Sequence, residues 1–263
     1  MQIKRLLVAA VLLPPFYLYV MKLPEVWFFA LLLVLSLIAQ WEFYAMYRIA
    51  GLMRASGIGL GAVFLTAFYF SGTLFPQVLM FSVMALASVR LFSRRNPLSS
   101  LHDISPSLLA LLYVPGLLSF QLLLRHSGPQ WIIFLFGCVW IADSFALYVG
   151  KSMGRRKLYA EVSPNKTIAG AVGSIVGGAF SGWLLNLAIL HSMDAWTAAL
   201  IGMVVGATTI VGDLVESMFK RDAGVKDSGT IFHGHGGVLD KVDGALFAGP
   251  VLYWVSVAAG LME

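Results

Sequence analysis

The chain has 263 residues, of which 59% are hydrophobic and only 12% charged, with a formal net charge of +5 at pH 7. So apolar a composition excludes a soluble domain of this size and leaves room for several bilayer crossings. The basic excess requires no nucleic-acid partner, because its placement along the chain follows membrane topology, and the single cysteine, Cys138, excludes an intramolecular disulfide.

A helix needs about 20 mostly apolar residues to cross the hydrocarbon core, with its backbone groups satisfied internally. Nine stretches meet that requirement, at 5–21, 25–47, 57–73, 76–92, 106–124, 130–149, 169–190, 195–218 and 243–262. The expected fold is an all-α polytopic membrane protein with a cytoplasmic N-terminus and the C-terminus on the opposite side. That topology leaves only Lys22 and Arg125 outside and puts the other sixteen of the 18 Lys and Arg residues inside. The first stretch begins like a signal peptide, but Pro14 and Pro15 are followed by aromatic residues instead of a small-residue cleavage site. It is read as a retained, kinked span.

Residues 1–129 form an N-terminal region of five spans. Residues 130–263 form a C-terminal catalytic region of four, with cytoplasmic loops at 150–168 and 219–242. Glu42 is the one carboxylate in the interior of the first five spans, whose aromatic and Met residues are read as packing or lipid-facing. Asp143, Asp213 and Glu216 lie in the sixth and eighth spans and Asp243 opens the ninth, so chemistry is expected in the C-terminal half.

After Asp143 comes a basic loop, whose Arg155, Arg156 and Lys157 read as headgroup anchors. It ends in Ser163, Pro164, Asn165 and Lys166, and Lys166 is a candidate for a phosphate contact. The seventh and eighth spans place Gly173 and Gly177, Gly178 and Gly182, and Gly202 and Gly206 four residues apart. Such spacing lets helix backbones approach closely, within a monomer or across a homodimer.

Asp213, Glu216, Ser217 and Lys220 occupy one face of the eighth helix. Beyond it Lys220, Arg221 and Lys226 alternate with Asp222 and Asp227, followed by His233, His235, Gly236, Gly237, Asp240, Lys241 and Asp243. Carboxylates suit a hard cation such as magnesium, basic side chains suit phosphate, and the glycines let backbone amides approach an anion. Two histidines and one distant thiol make no zinc ligand set.

These residues resemble the C-terminal signature of the phosphatidate cytidylyltransferases: Ser217, Lys220-Arg221, Lys226-Asp227, His235-Gly236-Gly237, then Asp240 and Asp243. Gly212-Asp213, Ser163 to Thr167, and the Asp143, Ala146, Gly150 and Gly154 segment resemble the same family upstream. The chain departs from the pattern at Leu147, Ala169, His233 and Lys241.

The resemblance implies transfer of a cytidylyl group from CTP to phosphatidic acid in phospholipid biosynthesis, at a bacterial inner membrane, with the site facing the cytoplasm. It implies magnesium, alone or with a second cation, held principally by Asp213 and Asp240, with Asp143 and Asp227 next. Lys220, Arg221 and Lys226 complete the expected catalytic set. Ser163, Lys166, Ser217, His235, Gly236, Gly237 and Lys241 are expected to bind substrate phosphates. Other readings are a CTP-dependent polyisoprenol kinase, a non-catalytic relative and a cation transporter. The last is weakened by the crowding of polar residues at the cytoplasmic ends.

Overall fold

Caps and breaks decide where the apolar runs become helices. In the computed structural model, which describes residues 13–94, 96–232 and 236–262, α1 covers residues 13–22. Then follow α2 (Glu25–Met46), α3 (Gly51–Phe70), α4 (Phe75–Ser93), α5 (Ser100–Leu111), α6 (Leu117–Ser127) and α7 (Pro129–Met153). A small hairpin, β1 (Lys157–Tyr159) and β2 (Ser163–Thr167), precedes α8 (Ile168–Leu185), α9 (Ala195–Asp222) and α10 (Leu239–Ala258). The protein is an all-α polytopic membrane protein.

Local chemistry explains the boundaries. Pro129 sits in the first turn of α7, where a missing N–H costs nothing. Thr167 caps α8 by accepting from Gly170 N at 3.1 Å, and Asp194 caps α9 by accepting from Trp196 N and Thr197 N at 2.9 and 3.1 Å. Gly224, at φ +70°, ends the long α9 helix in a conformation that favours glycine. Between α5 and α6 the helix does not stop but widens into a π-type turn at Leu112–Gly116, where Pro115 has no N–H to give.

Among the described residues, seven helices are long and apolar enough to cross a membrane: α2, α3, α4, α5 continued through α6, α7, α8 with its terminal turn, and α9. The last expected span begins earlier than 243, because α10 starts at Leu239. Asp240, Lys241 and Asp243 in its first turns dilute its apolar length, and it packs against α9, α6, α7 and α2. Residues 5–12 of the first expected span, with Arg5, lie outside the described residues, as do Lys4 and Arg95. The third span starts at Gly51 instead of 57 because Gly57 and Gly61 are not helix breakers here. They seat the buried side chains of Tyr44 and Gln40 against α3. The fifth starts at Ser100 because Asp103 pairs with Arg90 at 2.5 Å and Arg94 at 3.0 Å, fixing the turn into α5.

The glycine pairs are consumed within the monomer. A Cβ on Gly178 or Gly182 would run into the backbone of α9, one on Gly202 or Gly206 into that of α8, and one on Gly177 into Phe145 of α7. No free stripe remains at these positions for a homodimer. Gly202→Val is therefore expected to lower stability by about 3 kcal/mol, the upper end for overpacking. Gly59→Ala, whose Cβ meets nothing within 4 Å, should be neutral or slightly stabilising. Thermal unfolding in detergent distinguishes the two, and equal melting temperatures would contradict the close α8–α9 approach.

Candidate active site

The site is assembled where the C-terminal parts of α7 and α9 meet the start of α10. α7 contributes Asp143, the hairpin contributes Lys166, α9 contributes Asp213, Glu216, Ser217 and Lys220, and α10 contributes Asp240 and Asp243. The hairpin approaches because Gly150 of α7 and Gly170 of α8 leave no side chains between the two helices; a Cβ at either would lie 3.4 Å from the other's Cα. β1 and β2 are antiparallel, with Lys157 opposite Thr167 and Tyr159 opposite Ser163. The basic loop is thus an ordered ribbon.

Asp143, Ser163, Lys166 and Asp213 line a cavity of about 760 Å³, with Leu147 and Asn165 among its other walls. Lys166 reaches across to Asp213, Nζ to Oδ2, at 2.6 Å. Ala169, in the first turn of α8, offers no carboxylate beside it. Ser217 donates to Asp213 Oδ1 at 3.4 Å.

Asp213, Glu216 and Asp243 each offer an oxygen within 4.8 Å of the others. Glu216 is fully buried, pairs with Lys220, and neither of its oxygens accepts a well-formed hydrogen bond. Five carboxylates, counting Asp143 and Asp240, share the two ammonium groups of Lys166 and Lys220. So many carboxylates for two ammonium groups, one of them, Glu216, fully buried, are costly unless a cation joins them. The all-oxygen donor set with a partly satisfied buried carboxylate fits a hard divalent ion.

The expected ligand Asp240 takes a different place. Its Oδ1 accepts from Lys220 Nζ at 2.6 Å, and its Oδ2 accepts from Ser228 N, Ser228 Oγ and Gly237 N at 2.9, 2.8 and 2.7 Å. With both oxygens engaged, Asp240 organises the loop, and Asp243, one turn further along α10, completes the triad. Gly236, at φ +86°, fits because a Cβ there would strike the Asp240 carboxylate.

Arg221 donates from Nε to Val162 O at 3.2 Å and from Nη1 to Val225 O at 3.1 Å, bracing the hairpin against the end of α9. Lys226, Asp227 and Lys241 are exposed, and Asp227 lies outside the carboxylate triad. His233, Gly234 and His235 lie outside the described residues.

Glu42 acquires a role that its place in the sequence does not assign. In α2, only 3% exposed, it accepts from Val238 N and Leu239 N at 2.9 Å each and from Ser228 Oγ at 3.1 Å. It caps α10 from another helix, using the positive end of the helix dipole and two otherwise unpartnered N–H groups. Its isolation as the interior carboxylate of the early spans was the available signal. The N-terminal helices thus hold the signature loop in place.

These features define an integral membrane helical protein with a cluster of carboxylates and lysines built by its last helices. The chain matches the cytidylyltransferase family over residues 3–258 and belongs to that family. It is 41% identical over 137 residues to a phosphatidate cytidylyltransferase of Synechocystis sp., covering 50% of this chain and 44% of that protein. It is 42% identical over 132 residues to one from Staphylococcus aureus, covering 49% of each, and 41% identical over 128 residues to one from Staphylococcus epidermidis, again 49% of each. The matched segment spans about half the length of these relatives.

Proposed function

We propose that this protein is a phosphatidate cytidylyltransferase, moving the cytidylyl group of CTP to phosphatidic acid with release of pyrophosphate. The observation that carries this reading is the convergence of Asp213, Glu216 and Asp243 beside Lys166 and Lys220, within a chain of the cytidylyltransferase family. Both substrates are polyanions, one from the cytosol and one from the bilayer, and this centre sits where membrane helices end.

A phosphate oxygen of phosphatidic acid forms a bond to the α-phosphorus of CTP while the bond from that phosphorus to the bridging β-phosphate oxygen breaks. The electron pair leaves with pyrophosphate. The attacking phosphate is already ionised, so no general base is required. Lys166 holds a phosphate oxygen by exchanging its Asp213 partner for the substrate anion, and the Asn165 and Ser163 walls orient the chain beside it. Lys220 keeps Glu216 and Asp240 in place. A magnesium ion, held by Asp213, Glu216 and Asp243, would supply charge neutralisation at the reacting phosphates. The site faces the cytoplasm of a bacterial inner membrane, in line with the basic residues crowding on that side.

Purified protein given phosphatidic acid, magnesium and CTP labelled at the α-phosphate is expected to yield labelled CDP-diacylglycerol and unlabelled pyrophosphate. Folded protein that gives no product overturns the reading. CDP together with a newly phosphorylated lipid would identify a lipid kinase instead.

A further inference from the structure

The N-terminal helices contribute a second buried group to this centre. Tyr113 lies in the π-type turn between α5 and α6, a distortion that re-aims side chains and recurs at functional sites. It is 4% exposed, and its hydroxyl has no hydrogen-bond partner. The ring is enclosed by Phe43 of α2, Phe219 of α9 and Phe247 of α10, at centroid distances of 6.0, 5.2 and 6.2 Å.

Two of those neighbours link the ring to the carboxylate centre. Phe219 is three residues after Glu216 on α9 and Phe247 four after Asp243 on α10, so each shares a helical face with a member of the carboxylate triad. The ring thus packs on side chains that share helical faces with Glu216 and Asp243, and the charges of Glu216, Asp243 and Asp213 act on the phenol. A buried donor without a partner, near a cluster of carboxylates, is an incomplete hydrogen-bond arrangement.

We propose that the Tyr113 hydroxyl donates a hydrogen bond to a phosphate oxygen of the nucleotide bound at the Asp213, Glu216 and Asp243 centre. Tyr113 is then a substrate-binding residue supplied by the N-terminal half. The proposal rests on the cytidylyl-transfer reading for the identity of the nucleotide.

Tyr113→Phe removes only the oxygen and keeps the ring packing. Its melting temperature is expected to equal or slightly exceed that of the native protein, since an unpartnered buried hydroxyl is lost. Its affinity for magnesium–CTP, measured by calorimetry in detergent, is expected to fall about tenfold, as for loss of one hydrogen bond to a charged group, with a matching fall in kcat/KM. Unchanged affinity overturns the proposal, as does a loss of affinity accompanied by a lower melting temperature, which marks a packing role. Native protein that binds magnesium–CTP without forming CDP-lipid refutes the reaction assigned above, yet the binding comparison still decides the role of Tyr113. Native protein that binds no nucleotide refutes both.

Discussion

Asp243→Asn is expected to reduce cytidylyl transfer at least about a hundredfold at limiting magnesium, and Asp213→Asn to do the same, because each removes one charged oxygen from a three-carboxylate centre. Part of that loss should return as magnesium is raised, since the defect lies in cation affinity. Asp240→Asn should behave differently. Its carboxylate is bound by Lys220, Ser228 and Gly237, so an amide there turns a donor toward a donor and weakens the loop. The expected cost is about 2–4 kcal/mol of stability, with the magnesium concentration for half-maximal activity little changed. Magnesium titrations of activity, paired with thermal unfolding, separate the two patterns. An Asp243→Asn protein with native magnesium dependence would exclude Asp243 from the ligand set.

The contrast between Asp240 and Asp243 shows where sequence reading stops. Hydropathy locates seven of the nine expected spans among the described residues, because lipid exposure leaves a compositional trace: residues 25–47 match a helix at Glu25–Met46, and 195–218 one at Ala195–Asp222. The polar face of α9 was equally legible, since 3.6-residue periodicity places Asp213, Glu216, Ser217 and Lys220 together. Asp240 and Asp243, three apart, share a face of α10 and both meet groups of α9, so which of them joins Asp213 and Glu216 depends on what else engages each carboxylate. Glu42 fixes the start of α10 from α2, and the Asp240 carboxylate is drawn back onto the loop by Ser228 and Gly237. The π-type turn that places Tyr113 is likewise invisible in periodicity, because Pro115 allows several local solutions and packing chooses among them.

Glu42→Gln is expected to be among the most damaging conservative substitutions outside the carboxylate triad. The native carboxylate accepts from two backbone N–H groups through different oxygens, Val238 N to Oε1 and Leu239 N to Oε2, and also from Ser228. Glutamine keeps the length but offers one acceptor, so its amide N–H₂ must face a backbone donor or leave it bare in a buried place. The expected cost is about 2–4 kcal/mol, combining an unpartnered buried donor with loss of the negative charge at the helix N-terminus. Because Glu42 meets the loop at both Ser228 and Val238, the first regions released should be residues 225–232 and 236–238, not the distant α3–α4 pair. Limited proteolysis should therefore cut this loop in the variant at temperatures where the native chain resists, while magnesium-dependent activity falls in parallel. If the variant resists proteolysis and melts like the native protein, Glu42 does not hold the loop, and the coupling between the N-terminal helices and the catalytic segment must be carried by packing alone.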